Sequence, residues 1–332
     1  MKLNELDYKL PKELIAQFPT SPRDHSRLMV IDRKSGEILH NHFYDLPKFL
    51  TKNDVLVFNK TKVFPARIFG KKETQGKVEV LLLKNISEFT WEVITKPGID
   101  IGEKIIFDGF NLKIIERNGK IAIAEFNLSY IDLLKKLEEV GHTPLPPYIS
   151  SKESEENLRK KYQTVYAEKL GSAAAPTAGL HFTKRLLKEI HDMGVQIEYV
   201  TLHVGLGTFE PVHEETLEKH KIHEEYFDVS GDTYERLVEA KKSGKRIIAV
   251  GTTTVRVLES LPKRKGYTDI FIYPPYKFKF VDSIITNFHL PKSTLLALVY
   301  AFANEKIIKK AYETAVKEKY GFFSFGDAML II

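Results

Sequence analysis

The chain reads as an α/β protein, an open mixed α/β body with a small antiparallel β-barrel inserted into it. Three observations predict this. Strand-like and helix-like stretches alternate from residue 196 to residue 303, the pattern of an open, largely parallel sheet. Five short β-prone runs crowd residues 78–126, separated by turns rich in Gly, Asn, Asp and Pro and by no helical period. A proline-stiffened stretch at 141–149 then leads back to α/β character. The expected division is a discontinuous body of residues 1–62 and 150–332, with residues 63–149 as the barrel domain.

The elements follow in order. Residues 11–17 suggest a short helix, 27–32 and 38–43 two strands, and Ser35-Gly36 the turn between them. The polar stretch 21–27, with two arginines and a histidine, is either a surface loop or a phosphate or carboxylate contact. The apolar run 54–58 suits a buried strand. Beyond it, Lys60, Lys62, Arg67, Lys71 and Lys72 interleave with Phe64 and Phe69. That mixture fits an RNA backbone and its bases, or equally a hinge with solvated lysines. The β runs at 78–83, 90–95, 104–107, 112–116 and 121–126 are best closed into a barrel, because closure removes exposed edges. A helix is expected at 131–140, after which Pro144, Pro146 and Pro147 hold His142 and Tyr148 in fixed positions.

Residues 171–183 organise the rest. Four alanines between Gly171 and Gly179 leave little side-chain bulk, and Thr183 then caps a helix. Such a loop can bring backbone N–H groups close to an anion or a polar cofactor. It can equally be a tight packing loop with a satisfied histidine. Strands are expected at 196–204, 246–250 and 282–287, and helices at 255–261 and 294–303, the latter capped by Ser293. Ligands in open α/β sheets bind beyond the carboxyl ends of the strands. Four loops there carry Thr177 and His181, His203 and Thr208, Thr253 and Arg256, and Asn287 and His289.

Composition narrows the chemistry. A chain of 332 residues, 43% hydrophobic and 28% charged, has the make-up of a folded soluble protein. The absence of cysteine excludes disulfides, thiolate metal sites and a thiol nucleophile. No membrane span or signal core is visible, so a cytoplasmic location is expected. The net charge of +6 is compatible with a nucleic-acid partner and does not require one. Neither a dinucleotide fingerprint nor a P-loop nor a GxSxG elbow occurs. His220 and His223 could hold a metal, but no third ligand is evident, and none is expected. What remains is a set of histidines, carboxylates and hydroxyls on small-residue loops, which suits general acid–base chemistry on a bound small molecule.

Particular segments carry a closer resemblance. They are Leu10–Gln17, Arg23–Leu28, Asp45–Pro47, Pro65–Arg67, His142–Ile149, Tyr162–Ala167 and Ala175–Thr183, then the stretches around His203, Gly251, Asn287 and Asp327. In these the chain resembles the S-adenosylmethionine:tRNA ribosyltransferase-isomerase family of queuosine biosynthesis. It departs at Lys60-Thr61-Lys62 and at Pro275. The resemblance implies an α/β body with an inserted barrel. It also implies a transferase-isomerase that moves the ribosyl part of S-adenosylmethionine to 7-aminomethyl-7-deazaguanine at the tRNA wobble position, giving epoxyqueuosine. S-adenosylmethionine would then be a consumed substrate, with no resident cofactor. On that basis His181 or His203 is expected as base, with Glu225 orienting it or sharing the role. Thr177, Gly179, Thr208, Gly251, Thr252, Thr253, Arg256, Asn287 and His289 are expected around the donor, with Arg256 on its carboxylate. Lys60, Lys62, Arg67 and Tyr148 are expected to meet tRNA, in binding that weakens as salt rises. A monomer is the working expectation. A methyltransferase, a non-catalytic RNA-binding module and a metal-dependent hydrolase remain as alternatives.

Overall fold

The computed structural model describes residues 1–205 and 214–332. Its main sheet is built from β1 (Arg27–Ile31), β2 (Ile38–His42), β3 (Asp54–Asn59), β12 (Gln196–Leu202) and β13 (Glu225–Asp228). It is completed by β14 (Arg246–Val250), β15 (Lys265–Thr268), β16 (Ser283–Asn287) and β17 (Ala328–Ile331). The spatial order is β15-β13-β12-β3-β14-β16-β17-β1-β2. Strands β12, β3, β14 and β16 run parallel. β17 is antiparallel to β16 and parallel to β1, so the sheet reverses direction there.

Alternation along the strands sorts the core into two faces. Val55 and Val57, Ile247 and Ala249, and Met329 and Ile331 turn one way, toward α4 (Gly231–Lys242), α5 (Thr252–Glu259), α6 (Thr294–Ala303) and α7 (Glu305–Lys317). Leu56 and Phe58, Ile248 and Val250, and Leu330 turn the other way, toward Leu186 and Ile190 of α3 (Lys184–Asp192). Every residue of β3 is buried, as expected of a strand covered on both faces.

The barrel lies within residues 67–126. Its strands are β5 (Arg67–Lys72), β6 (Lys77–Asn85), β7 (Thr90–Lys96), β8 (Lys104–Ile106), β9 (Asn111–Asn118) and β10 (Ile121–Phe126), closed in the order β10-β7-β6-β5-β8-β9. Leu133 and Leu137 of α1 (Tyr130–Val140) extend its core. Backbone pairing holds the barrel's two connections in place. The outgoing strand β4 (Thr61–Val63) pairs in parallel with β11 (Lys169–Ser172), which follows α2 (Glu155–Lys161). The outgoing and returning chains are joined by paired backbone bonds between Arg67 and His142.

Two expectations need correcting. Residues 11–17 are not a helix but a single 3-10 turn, Lys12–Leu14. The backbone at Ile15 and Ala16 is instead engaged by Phe322. The barrel also has a strand, β5, that the basic run at 67–72 concealed. Its inward residues Ile68 and Gly70 alternate with polar or exposed ones.

Candidate active site

The sheet reversal gathers strand ends at one edge. The carboxyl ends of β12, β3, β14 and β16 meet the amino ends of β17 and β1, with Asn287 opposite Ala328 and Ala328 opposite Leu28. Above them lies an open cleft. Its walls include Ala175–Ala178, Gly251, Thr252, Thr253, Asn287 and His289, with Tyr148 and Ser324 at the far side.

A hydrogen-bonded chain runs from this cleft into the interior. Thr177 donates to Asn287 Oδ1 at 2.8 Å, which turns the Asn287 amide toward His181 Nε2 at 3.1 Å. An amide N–H donating there leaves the His181 proton on Nδ1, which donates to Ser26 Oγ at 2.7 Å. The ring stacks on Phe43. Burial, helped by the Arg23 charge, pushes the His181 pKa down to about 3, so the imidazole is neutral. His181 does not line the cleft, and both its nitrogens are committed. This geometry suits a residue that orients Asn287 and does not support the expected base. Ser26, which completes the chain, lay hidden in the polar run 21–27.

His289 does reach the cleft. Its Nε2 sits 2.9 Å from Thr286 Oγ1, and burial pushes its pKa down to about 3. It therefore presents a neutral ring to whatever enters.

A second cleft, with about 1360 Å³ of empty space, lies between the barrel and the body. His203 lines it, together with Gly171, Gly205, Glu225 and Tyr226. Thr61 Oγ1 donates to the Lys169 carbonyl at 3.4 Å and so accepts from His203 Nδ1–H at 2.9 Å. That places the imidazole lone pair on Nε2. The ring is clamped between Tyr226, stacked at 5.8 Å and 15°, and Gly171. A Cβ on Gly171 would come within 2.8 Å of His203 Cε1, so only glycine permits this approach. Burial lowers the His203 pKa, against a weaker pull from Asp228. Of the two histidines expected as base, His203 is the one with a ring nitrogen available in a cleft.

The site can now be set beside known proteins. Residues 3–331 match the family described as "Queuosine biosynthesis protein". The chain is 54% identical to the S-adenosylmethionine:tRNA ribosyltransferase-isomerase of Halothermothrix orenii and 53% identical to that of Sulfurihydrogenibium sp., with all of each chain covered. A crystal structure titled as the S-adenosylmethionine tRNA ribosyltransferase of Thermotoga maritima is 37% identical. It covers 99% of this chain and all of its own, with a TM-score of 0.57. The chain belongs to the queuosine biosynthesis protein family. The mixed α/β fold with its closed antiparallel barrel accords with that membership.

Several expected site residues of this family member stand elsewhere. Arg256 is not in the first cleft. Its guanidinium is spent on the Glu225 carboxylate and on the carbonyls of Ile270 and Thr268, at 3.2 Å each. A buried fork held by these protein partners faces away from the first cleft, whose walls do not include it. Glu225 is the other half of that pair and also accepts from the Gly205 N–H at 2.9 Å, so it braces the cleft wall. Gly179 is a packing residue, because a Cβ there would stand 1.9 Å from Tyr166 Oη. Tyr148 bonds Ser324 at 2.8 Å and lines the first cleft. Lys60 is paired with Glu168 at 3.0 Å. Arg67 is paired with Glu79 at 3.0 Å and donates to the Leu145 carbonyl at 2.9 Å. Lys62 is exposed, at the rim of a groove shared with Lys160. Thr208 lies outside the described residues. Sequence reasoning also missed Asn59, whose side chain bonds both the N–H and the C=O of Leu202 and touches Thr253 at 3.3 Å, locking the loop after β12 to α5.

Proposed function

We propose that this protein is an S-adenosylmethionine:tRNA ribosyltransferase-isomerase. It moves the ribosyl moiety of S-adenosylmethionine onto 7-aminomethyl-7-deazaguanine at the wobble position of tRNA, forms epoxyqueuosine, and releases adenine and methionine. The observation that carries this reading is full-length identity of about half to enzymes of that name. The strand-end cleft lined by Thr177, Asn287 and His289 supports it.

The protons balance without a redox partner. C5′, acidified by the adjacent sulfonium, gives up a proton, and so does the attacking amine. Adenine takes one, and the other is released as the sulfur leaves uncharged in methionine. In this scheme the first cleft holds the donor. His289, neutral and buried, hydrogen-bonds the departing adenine. The first-turn N–H groups of α5 at Thr252 and Thr253, beside Gly251, face the methionine carboxylate, since a helix amino end favours an anion. Thr177, aimed by Asn287 and His181, meets the ribose. His203 Nε2 serves as the base. The donor is consumed, and no resident cofactor enters the scheme.

Residues 1–62 and 150–332 act as the catalytic body and residues 63–149 as a barrel domain that meets tRNA, with Lys62 on the phosphate-facing groove. Among the described residues no helix is long and apolar enough to cross a membrane, in keeping with a cytoplasmic enzyme. Incubation with tRNA bearing the aminomethyl base and with donor labelled in either the ribose or the methyl group tests the reading. Ribose label on the tRNA is the expected result. Methyl label would make the protein a methyltransferase, and no transfer with no adenine release would leave only a binding module.

A further inference from the structure

The second cleft has a chemistry of its own. Near-parallel ring pairs stand on its two walls. His203 and Tyr226 stack on the body side, and Trp91 and Tyr130 stack at 5.8 Å and 14° on the barrel side. Tyr267 adds a further ring, with Lys84 Nζ 4.0 Å from its centroid. Glu92 and Glu224 also line the cleft; Lys84 stands directly across the strand pair from Glu92 but lays its ammonium over Tyr267, and among the described residues neither carboxylate forms an ion pair. The Trp91 indole N–H is buried with no acceptor. Flat rings and acidic groups together fit one class of ligand, a planar heteroaromatic base that carries a positive charge. Base–aromatic stacking is a common means by which proteins hold an unpaired base.

We propose that this second cleft receives the extruded tRNA base, and that Glu92 and Glu224 select its aminomethyl group. The inference rests on the tRNA substrate assigned above. In this arrangement the base stacks between the two ring pairs, and its amine lies within reach of His203 Nε2. The first cleft begins one residue away, because Val204 lines that one and Gly205 lines this one. Donor and acceptor would thus meet across the end of β12.

Trp91 is the single tryptophan of the chain, so it reports on this cleft directly. Anticodon stem-loop RNAs carrying 7-aminomethyl-7-deazaguanine, 7-cyano-7-deazaguanine or guanine at the wobble position would be titrated into the full chain, with binding read by anisotropy and by Trp91 fluorescence. The expected result is about a tenfold preference for the aminomethyl RNA over the neutral cyano RNA, since one charge-assisted contact is worth roughly that factor. Binding should also shift Trp91 emission, whereas S-adenosylmethionine alone should not. In the E92Q/E224Q variant the preference should fall below threefold, with guanine RNA affinity and the Kd for S-adenosylmethionine within twofold of wild type. Retained preference in that variant, equal weakening of all three RNAs, or silent Trp91 emission at saturating aminomethyl RNA would overturn the proposal. Failure of ribose transfer alongside intact discrimination would refute the enzymatic reading and leave the base pocket standing.

Discussion

The two neutral, buried histidines at the first cleft should make the protein acid-sensitive in a defined window. In the unfolded chain a histidine titrates near pH 6.5, whereas burial pushes both His181 and His289 down to about 3. Between those values the unfolded chain binds protons that the folded protein refuses. Stability from these groups is therefore full above about pH 7.5, falls as the pH drops through 6.5, and stops falling near 3. At pH 5 each imidazole costs about 2 kcal/mol and the pair about 4 kcal/mol, from roughly 1.4 kcal/mol per pH unit. That is a large share of the roughly 5–15 kcal/mol that holds a typical fold. His203, also lowered by burial, acts in the same direction. The Asp327 carboxyl, raised by burial, works in the opposite direction. Urea unfolding followed by far-UV circular dichroism across that interval would measure the slope. The H181Q/H289Q variant should start less stable at pH 8 yet lose far less on going to pH 5. A wild-type midpoint that stays constant, or the same slope in the variant, would refute the reasoning.

Three further outcomes are expected. Gly179→Ala should destabilise by about 1–3 kcal/mol in urea, because its Cβ would meet the buried Tyr166 hydroxyl at 1.9 Å and overpacking carries that cost. Arg256→Met should cost about 3–5 kcal/mol by removing the guanidinium buried against the Glu225 carboxylate, and the R256M/E225Q double variant should recover part of it. A double-variant loss equal to the sum of the R256M and E225Q losses would mean that the pair is not coupled. Gly171→Ala should displace the His203 ring and lower kcat by a factor on the order of 10² with little change in KM for S-adenosylmethionine, as expected when a base is moved and the donor cleft is not. Unchanged kcat would remove His203 from that role.

The legible parts of the fold were those with strong period or strong caps. The apolar run at β3, the barrel runs, and the helices capped by Thr183 and Ser293 all stand close to where their patterns put them. What escaped was set by tertiary partners. β17 is apolar throughout and indistinguishable from any buried segment until its neighbours are known. The turn at Lys12–Leu14 looked helical because its pairing with Phe322 is invisible in a local window. The same limit governs the site. Thr177, Gly251, Thr252, Thr253, Asn287 and His289 could be placed together because they share strand-end loops. Arg256 could not be judged, because Glu225, which occupies it, is 31 residues away along the chain. Histidines were visible as a set, but burial and hydrogen-bond partners, which separate His181 from His203, are properties of the packed interior.

The position of β17 sets the order in which the protein can be finished. This strand is the last in sequence, yet it sits between β16 and β1 and is hydrogen-bonded to both. Until it has been made, the β1–β2 hairpin has no edge to join, and Ser26 has no fixed place beside His181. A growing chain on the ribosome can therefore complete its barrel early but cannot assemble its donor cleft. Residues 328–331 are thus the slat that holds residues 27–31 against residues 283–287.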